Sequence, residues 1–385
     1  MYLGLTMPLG IKQNNLFTVT LSAFVMCVGF YAWRIMFNNF AVEQFDASPT
    51  DIGIIQAVRE IPGLLAFTVG IIAMKLTESR IVALSIILMG LGLLICGVSP
   101  SLVILGLATF VLSVGFHYFE PTNSSQLLLL AKSDNLGKVQ GVYRSYESLA
   151  GLVGGLMILG MTLFLSYEYT FYIIGALITV VGIYLVLALP PNRGKSENRK
   201  MVIKKKYWLY YILYFLRGCR RHVFTTFAIF LLVKNHGLSI SMVSIVILAS
   251  NLVTFFTNRW MGNLTDKLGE RFILAGSSLL LIFIFTGYAY IDYLPVLIVF
   301  YLIDNTLFNS AIALRSYLTK ISSSEDLTGC LAFGMTSNHI AAVVIPVGGG
   351  IIWSYFGHEL TFLIGAAIVF IDMIFSFMVP GKKAL

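Results

Sequence analysis

Long apolar stretches separated by short polar segments run along the whole chain. We place twelve, at residues 16–40, 51–73, 80–98, 102–130, 139–165, 169–189, 207–233, 240–261, 272–290, 294–318, 328–352 and 359–379. A helix needs about 20 mostly apolar residues to cross about 30 Å of hydrocarbon. None of the stretches alternates with the period of two that a barrel strand requires. The pattern predicts an all-α polytopic membrane protein with twelve transmembrane helices.

Composition supports this prediction, and the placement of charge sets an orientation. The 385 residues are 58% hydrophobic and 11% charged, which leaves too little polar surface for a soluble fold of that size. The net charge of +8 collects in alternate loops, above all between Arg193 and Lys206. Because positive loops face the cytoplasm, we expect both termini there. The basic residues therefore indicate topology and not nucleic-acid binding.

The longest polar segment divides the chain into two sets of six stretches. We predict an N-terminal six-helix bundle at 1–189, a cytoplasmic linker at 190–206 and a C-terminal six-helix bundle at 207–385. Glu168-Tyr-Thr-Phe171 recurs 191 residues later as Glu359-Leu-Thr-Phe362, which supports an internal duplication. Two six-helix repeats related by an axis along the membrane normal are a transporter plan, with the solute site at the repeat interface.

Ionisable side chains are concentrated in some stretches and absent from others. Apart from tyrosines and a cysteine, the segments 81–98, 170–189 and 272–289 have none. A charge in hydrocarbon costs about 2.5–3.5 kcal/mol on insertion scales, so such residues normally face a protein interior or a watery cavity. We therefore expect the charged stretches to surround a solute path. Asp372, in the last stretch, fits no role in this scheme.

Two groups of residues are assigned to the path. The predicted solute-binding residues are Arg34, Arg59, Arg217, Arg220, Arg221, Asn305 and His339. The predicted proton carriers are Glu60, His117, Glu120 and Asp304. Arg217, Arg220 and Arg221 stand at i, i+3 and i+4 and share one helix face, and each guanidinium matches a carboxylate or phosphate. The alternative is a structural network in which Glu120 and Asp304 pair with these arginines. Arg59 and Glu60 lie about 100° apart around their helix, so we do not expect them to pair with each other.

One cytoplasmic segment carries a family resemblance. Gly262-Asn-Leu-Thr-Asp266-Lys267-Leu-Gly269-Glu270-Arg271 resembles the major facilitator superfamily signature, Gly-x-x-x-Asp-Arg/Lys-x-Gly-Arg-Arg/Lys, with Glu270 in place of a basic residue. The resemblance implies a central cavity lined by stretches 1, 4, 7 and 10. It also implies a cytoplasmic gate formed by Gly262, Asp266, Lys267, Gly269 and Arg271, in which Asp266 meets the helix start near 137–141. A tight turn with solvated charges is the alternative.

Glycines in two stretches bear on the direction of transport. Gly151, Gly155 and Gly160 keep part of the spacing of the family's antiporter signature, but Leu156 replaces its proline. The segment Pro346-Val-Gly-Gly-Gly350 carries a Pro-x-x-Gly-Gly pattern instead. Ordinary helix packing explains these glycines equally well. The pattern tilts the prediction toward export.

These observations predict a secondary active transporter. It moves a small anionic or amphipathic organic solute by alternating access, with proton-coupled export as the leading mode. The alternatives are a proton-coupled importer or facilitator, or a non-transporting receptor or sensor on the same fold. We expect no enzyme activity, no cofactor and no bound metal, because no nucleotide-binding loop, metal-ligand spacing or nucleophile constellation is found. We expect a monomer among membrane lipids, in a bacterial inner (plasma) membrane.

Overall fold

The computed structural model describes residues 13–130, 136–188 and 203–381. They form helices joined by short turns, with no strand in these ranges. The first half holds α1 (Gln13–Phe45), α2 (Pro49–Leu64), α3 (Val69–Ala73), α4 (Glu78–Gly97), α5 (Leu102–Leu130), α6 (Leu136–Thr162) and α7 (Tyr167–Ala188). The second half holds α8 (Trp208–Lys234), α9 (Ile240–Leu268), α10 (Glu270–Tyr290), α11 (Leu294–Leu307), α12 (Ala311–Ile321) and α13 (Ser324–Phe377). The all-α prediction is confirmed.

Most of the described part of every predicted stretch is helical, with boundaries shifted by a few residues, and in three places stretches are divided or merged. The second stretch is divided into α2 and α3 by a 3-10 turn at Ala66–Thr68, and the tenth into α11 and α12 by one at Phe308–Ser310. The eleventh and twelfth merge into α13, which Gly357 interrupts with a φ of 87°. Eight helical segments of the described ranges are long and apolar enough to cross a membrane. The count of twelve spans stays a prediction.

Local sequence explains where α2 begins and ends. Ser48 caps its first turn through a reciprocal capping box with Asp51, and Pro49 occupies the first turn, where its missing N–H is not needed. Pro62 lies near the other end. Its ring clashes with the carbonyl four residues earlier, and the helix gives way to the 3-10 turn shortly afterwards.

Large apolar side chains cover the outside of the helix bundle. On α7, Leu187 is 83% exposed and Val180 is 63% exposed, and on α10 Phe283 is 66% exposed. So much exposed apolar surface on one chain marks a membrane or protein contact. Because both helices lack charges over most of their length, we assign this surface to lipid.

The two halves pack tightly at the end of the bundle that carries the Pro49 turn. A Cβ at Gly53 would lie 2.1 Å from the carbonyl oxygen of Pro346, so only glycine allows α2 and α13 to approach this closely. Nearby, Thr50 Oγ1 lies 2.8 Å from Ser354 Oγ. Asn39 Nδ2 donates to the Leu238 carbonyl at 2.8 Å. These contacts join the halves at the Pro49 end.

Part of the predicted domain division lies outside the described residues, since 189–202 include most of the predicted linker. The end of that linker is held by α13. Lys204 Nζ lies 2.7 Å from Asp326 Oδ1, and Lys206 Nζ lies 3.2 Å from Asp326 Oδ2. The hydrogen bond from Lys204 lowers the pKa of the Asp326 carboxyl, and the hydroxyl of Tyr207 and the ammonium of Lys206 lower it further.

Candidate solute cavity

A cavity of about 520 Å³ lies between the two halves. Helices α1, α2 and α5 line it from the first half, and α8, α9, α11, α12 and α13 from the second, whereas no residue of α4, α7 or α10 contributes among those described. This division agrees with the charge pattern of the sequence. The predicted site residues that line the cavity are Arg34, Arg59, Glu60, His117, Glu120, Arg220, Arg221, Asp304, Asn305 and His339. The volume suits a small organic solute.

Arg220 and Asp304 form a buried ion pair across the cavity wall. Arg220 Nη1 bonds Asp304 Oδ1. The side chain of Asp304 is fully buried, and that of Arg220 is 6% exposed. Asp304 Oδ2 has no hydrogen-bond partner among the described residues. A carboxylate held by one oxygen with the other unsatisfied can take a proton without losing a second contact.

Arg217 does not belong to the cavity, although its spacing grouped it with Arg220 and Arg221. Its Nη2 lies 3.0 Å from Asp372 Oδ2. Its two terminal nitrogens also donate to the Ser310 hydroxyl at 2.9 Å and to the Leu274 carbonyl at 3.0 Å. The guanidinium thus turns toward α10 and the second part of α13. This contact gives Asp372 the structural role that the sequence did not reveal.

Glu60 joins residues from three helices. Its Oε1 bonds Arg59, contrary to the expectation that these neighbours do not pair. The Arg59 side chain is long enough to turn back along the helix, where its Nε also donates to Gln56 Oε1 at 3.0 Å. The other oxygen of Glu60, Oε2, lies 3.1 Å from His339 Nδ1 and 3.7 Å from His117 Nε2. Glu60 and His117 come from the first half of the chain, and His339 comes from the second.

Three cavity arginines, Arg34, Arg221 and Arg315, form none of the ion pairs seen between described residues, and two of them lie against aromatic rings. Arg34 on α1 lies beside the Tyr31 ring, 5.9 Å from its centroid. Arg221 on α8 stacks over Phe308 at 4.5 Å. Across the interface of the halves, Glu60 attracts Arg221 most strongly among the charged groups, whereas Arg34 and Arg59 repel it. In a partly dry cavity such repulsion is relieved by an anion.

The charge of the cavity wall is positive overall. It contains five arginines against three carboxylates, a formal excess of two positive charges with histidines neutral. Glu120 is exposed to the cavity and forms no ion pair with another described residue, so the alternative in which Glu120 pairs with the α8 arginines is not seen. Asn305 also lines the cavity, and its side chain donates to the Tyr301 carbonyl at 3.0 Å.

Comparisons with known proteins agree with this architecture. The family model of the Major Facilitator Superfamily matches residues 19–314 and, in a second match, residues 210–384. The chain belongs to the major facilitator superfamily. Its sequence matches no curated protein, so substrate and direction are not carried over from a relative.

Solved structures of superfamily members share the fold. A bacterial homologue of the human lysosomal transporter Spinster, in an inward-facing and unoccupied conformation, superposes with a TM-score of 0.79 at 15% identity, covering 96% of this chain and 98% of its own. The nucleoside transporter NupG gives a TM-score of 0.76 at 16% identity, covering 95% of this chain and 98% of its own. At these identities the likeness establishes the fold alone. The protein is an integral membrane protein with the transporter fold of the superfamily.

The superfamily signature forms the turn between α9 and α10. Gly269 has a φ of 85°, a conformation that glycine adopts without strain. Arg271 Nε donates to the Val379 carbonyl at 2.7 Å, and Glu270, the departure from the signature, bonds Ser316 and Lys320 at 2.7 Å each. Asp266 and Lys267 are exposed, and Gly262 is half-buried. The side-chain environment of 137–141, the expected gate partner, lies outside the described residues.

Sequence reasoning missed the aromatic part of the wall. Phe30, Trp33, Phe116 and Phe308 line the cavity among its charges. Trp33 faces the Arg59 guanidinium at 5.4 Å, and Phe30 stacks on Phe116 at 4.5 Å. In so apolar a chain these residues do not stand out. The signal that could have found them is their position within one or two helical turns of a buried charge.

Proposed function

We propose that this protein is a proton-coupled secondary transporter of a small organic anion. Arg34 and Arg221 are the proposed anion-binding residues, because both line the cavity and neither forms an ion pair with another described residue. The cavity's aromatic side chains offer an apolar surface for the rest of the solute. An occupant with a carboxylate or phosphate group and a small apolar body fits both features.

The position of the two arginines on opposite halves carries this proposal. An anion held by Arg34 of α1 and Arg221 of α8 joins the halves and reduces their mutual repulsion. Only a state in which both guanidiniums reach the anion gains this energy. Solute binding is therefore coupled to the approach of the two halves, which alternating access requires.

Proton coupling is assigned to Glu60, His117, Glu120 and Asp304. The Arg220–Asp304 pair gives the most specific route. A proton on Asp304 Oδ2 neutralises the carboxylate and weakens its hold on Arg220, which adds a third guanidinium to the anion site. Protonation and anion binding then favour each other, which is the behaviour of a symporter. This coupling favours the alternative of proton-driven import. The glycine pattern of the sequence favours export by exchange.

The packing of the glycines gives antiport no further support. Gly155 faces Leu248 of α9, and Gly151 faces the Tyr31 ring of α1. Both serve close helix packing between α6 and its neighbours, as ordinary packing glycines do.

The Asp266 end of the bundle is the proposed cytoplasmic side. Basic loops collect there, and Asp266 is the proposed gate residue that closes this end when the halves rock. Asp266→Asn should then increase the reactivity of a reporter cysteine placed near Gly141. Equal reactivity in the variant and the parent would remove the gate assignment and leave a tight turn.

Transport in proteoliposomes tests the proposal. Purified protein is reconstituted with an imposed pH gradient, and uptake of a panel of labelled organic anions, cations and neutral solutes is measured in both gradient directions. We expect anion movement with the proton gradient for symport and against it for exchange. Gradient-dependent transport restricted to cations or neutral solutes would refute the anion assignment, and no response to pH for a transported anion would refute proton coupling.

A further inference from the structure

Glu60, His117 and His339 bring three metal-ligating atoms together inside the cavity. Glu60 Oε2, His117 Nε2 and His339 Nδ1 lie within 4.8 Å of one another. Two imidazoles and a carboxylate are a common ligand set of zinc sites that leave a fourth position open. We propose that these three side chains bind a divalent transition-metal ion such as Zn²⁺. The sequence analysis expected no metal, because the ligands are 57 and 222 residues apart along the chain.

The distances suit such an ion. Metal–ligand bonds of about 2.0–2.2 Å in a tetrahedral arrangement place ligand atoms about 3.4 Å apart. The observed separations are 3.1 Å from Glu60 Oε2 to His339 Nδ1 and 3.7 Å from Glu60 Oε2 to His117 Nε2. The two histidine nitrogens lie within 4.8 Å of each other, so rotation of the imidazole side chains would complete the bonding geometry. Glu60 and His117 are buried, which limits competition from water.

Ser113 prepares His117 to act as a ligand. The Ser113 hydroxyl donates to the Arg59 carbonyl, so its oxygen remains as an acceptor. His117 Nδ1 lies 3.0 Å from that oxygen and 3.1 Å from the Ser113 carbonyl. Both partners accept, so Nδ1 carries the proton and Nε2 keeps its lone pair toward Glu60. An outer partner that fixes the tautomer and ring orientation is typical of metal-binding histidines.

Two further features shape the site. Arg59 bonds Glu60 Oε1, while Oε2 faces the histidines. Gly63 leaves the space that the two rings occupy, since a Cβ there would lie 2.4 Å from His339 Nδ1 and 2.9 Å from His117 Cδ2. The carboxylate offsets part of the ion's charge in a cavity that is otherwise positive. A water or an anionic group can fill the fourth position.

The ligands belong to both halves of the transporter, so the ion would act as a clamp. His339 lies on α13, whereas Glu60 and His117 lie on α2 and α5. Rocking of the halves moves His339 relative to the other two and opens the site. Zn²⁺ therefore stabilises the state described here and inhibits transport. This inference does not depend on the proposed solute, because Arg34 and Arg221 take no part in the site.

Zn²⁺ binding to the purified full-length protein tests the inference. We expect isothermal titration to give one Zn²⁺ per chain and Zn²⁺ to raise the Tm. His339→Gln and His117→Gln should each weaken Zn²⁺ binding by at least about 100-fold, because the loss of an outer-shell partner alone costs about 10- to 100-fold. His236→Gln is the matched control, since this histidine lies beside Asp292 outside the cavity. Mg²⁺ should not compete, because it prefers oxygen ligands.

Several results would overturn the site. They are the absence of Zn²⁺ binding to the parent, unchanged binding in both cavity histidine variants, or equal loss in His236→Gln. Glu60→Gln provides a third ligand variant if either histidine variant fails to fold, as judged by size-exclusion chromatography. X-ray absorption of the Zn²⁺-loaded protein should show nitrogen and oxygen neighbours, and a sulfur shell would instead assign the ion to the cysteines. Arg34→Gln/Arg221→Gln should still bind Zn²⁺, which separates this site from the solute site.

Discussion

Arg217 and Arg221 lie one helical turn apart on α8, yet their surroundings are opposite. Arg217 bonds a carboxylate, a carbonyl and two hydroxyls on packed helices. Arg221 stacks on one phenyl ring and lies near Glu60 and two other arginines across a cavity, without an ion pair to a described residue. The first environment satisfies the guanidinium with protein partners, and the second leaves it without a carboxylate partner, where we propose that an anion binds. A buried charge is thus structural or functional according to whether its partners are already present.

The largest expected effect is on folding stability, at the buried pair of Arg217 and Asp372. Arg217→Gln leaves Asp372 buried without its charged partner, which should cost about 3–5 kcal/mol of folding free energy. The measurement is the Tm and the resistance to denaturant of the purified protein. Asp372→Asn in the same chain should recover much of the loss, because it removes the unpaired charge. A Tm equal to that of the parent in Arg217→Gln would show that the pair is not structural.

The next largest effect is on solute affinity, at Arg221 in the cavity. Arg221→Gln removes a charge-assisted hydrogen bond worth about 1.5–3 kcal/mol, so the affinity for the anionic solute should fall by about 10- to 150-fold. Arg34→Gln should lower it similarly, and the double variant should lose less than the sum because one anion joins both side chains. Equilibrium binding with each variant measures this coupling. Strict additivity would place the arginines at separate sites.

The two aspartates that pair with α8 arginines extend the comparison to proton coupling. Asp304→Asn should abolish accumulation driven by a pH gradient while solute exchange at equal pH continues, because the proton site is lost and the cavity remains. The folded fraction of Asp372→Asn should still accumulate solute in response to a pH gradient. Reconstituted transport of both variants, normalised to folded protein, checks this difference. Intact gradient-driven accumulation in Asp304→Asn would exclude Asp304 as the proton carrier.

The smallest effect belongs to an ion pair in a more exposed place. Asp326 has a lowered pKa in the folded protein, first because of Lys204. Its contribution to stability is therefore complete above the ordinary pKa of 3.8 and is lost as the pH falls through the lower folded value. Lys204→Gln should reduce the Tm slightly and by the same amount at pH 5 and pH 7, with a smaller difference below pH 4. A Tm difference that changes between pH 5 and pH 7 would implicate another group.

The contrast between Arg217 and Arg221 also shows which structural features could be predicted from the sequence and which could not. Apolar length located every helical stretch, and the charge pattern selected the helices that line the cavity. Helical spacing gives the direction of each Cβ, but it does not determine where an arginine's guanidinium ends. Arg217 reaches α10 and the second part of α13 because those helices pack beside its turn, and Asp372 stands 155 residues away. That neighbour exists only in the folded chain.

The cluster of Glu60, His117 and His339 is a second case in which contacts between distant residues could not be predicted from the sequence. His339 follows Glu60 by 279 residues, and no local motif joins them. Their meeting depends on the close approach of α2 and α13, which Gly53 and Gly63 permit. The sequence marked both residues as buried and ionisable within apolar stretches, so each was a candidate for the path. Their mutual geometry, from which we propose the metal site, required the three-dimensional structure.

Thermal stabilisation by a panel of solutes tests the central claim most directly, when the parent, Arg221→Gln and Arg217→Gln are measured side by side. We expect a subset of small organic anions to raise the Tm of the parent. The same anions should raise the Tm of Arg217→Gln by a similar increment from a lower starting value and should have little effect on Arg221→Gln. Stabilisation by cations alone, or an equal increment from the same anions in all three proteins, would contradict the assignment of the cavity as an anion site.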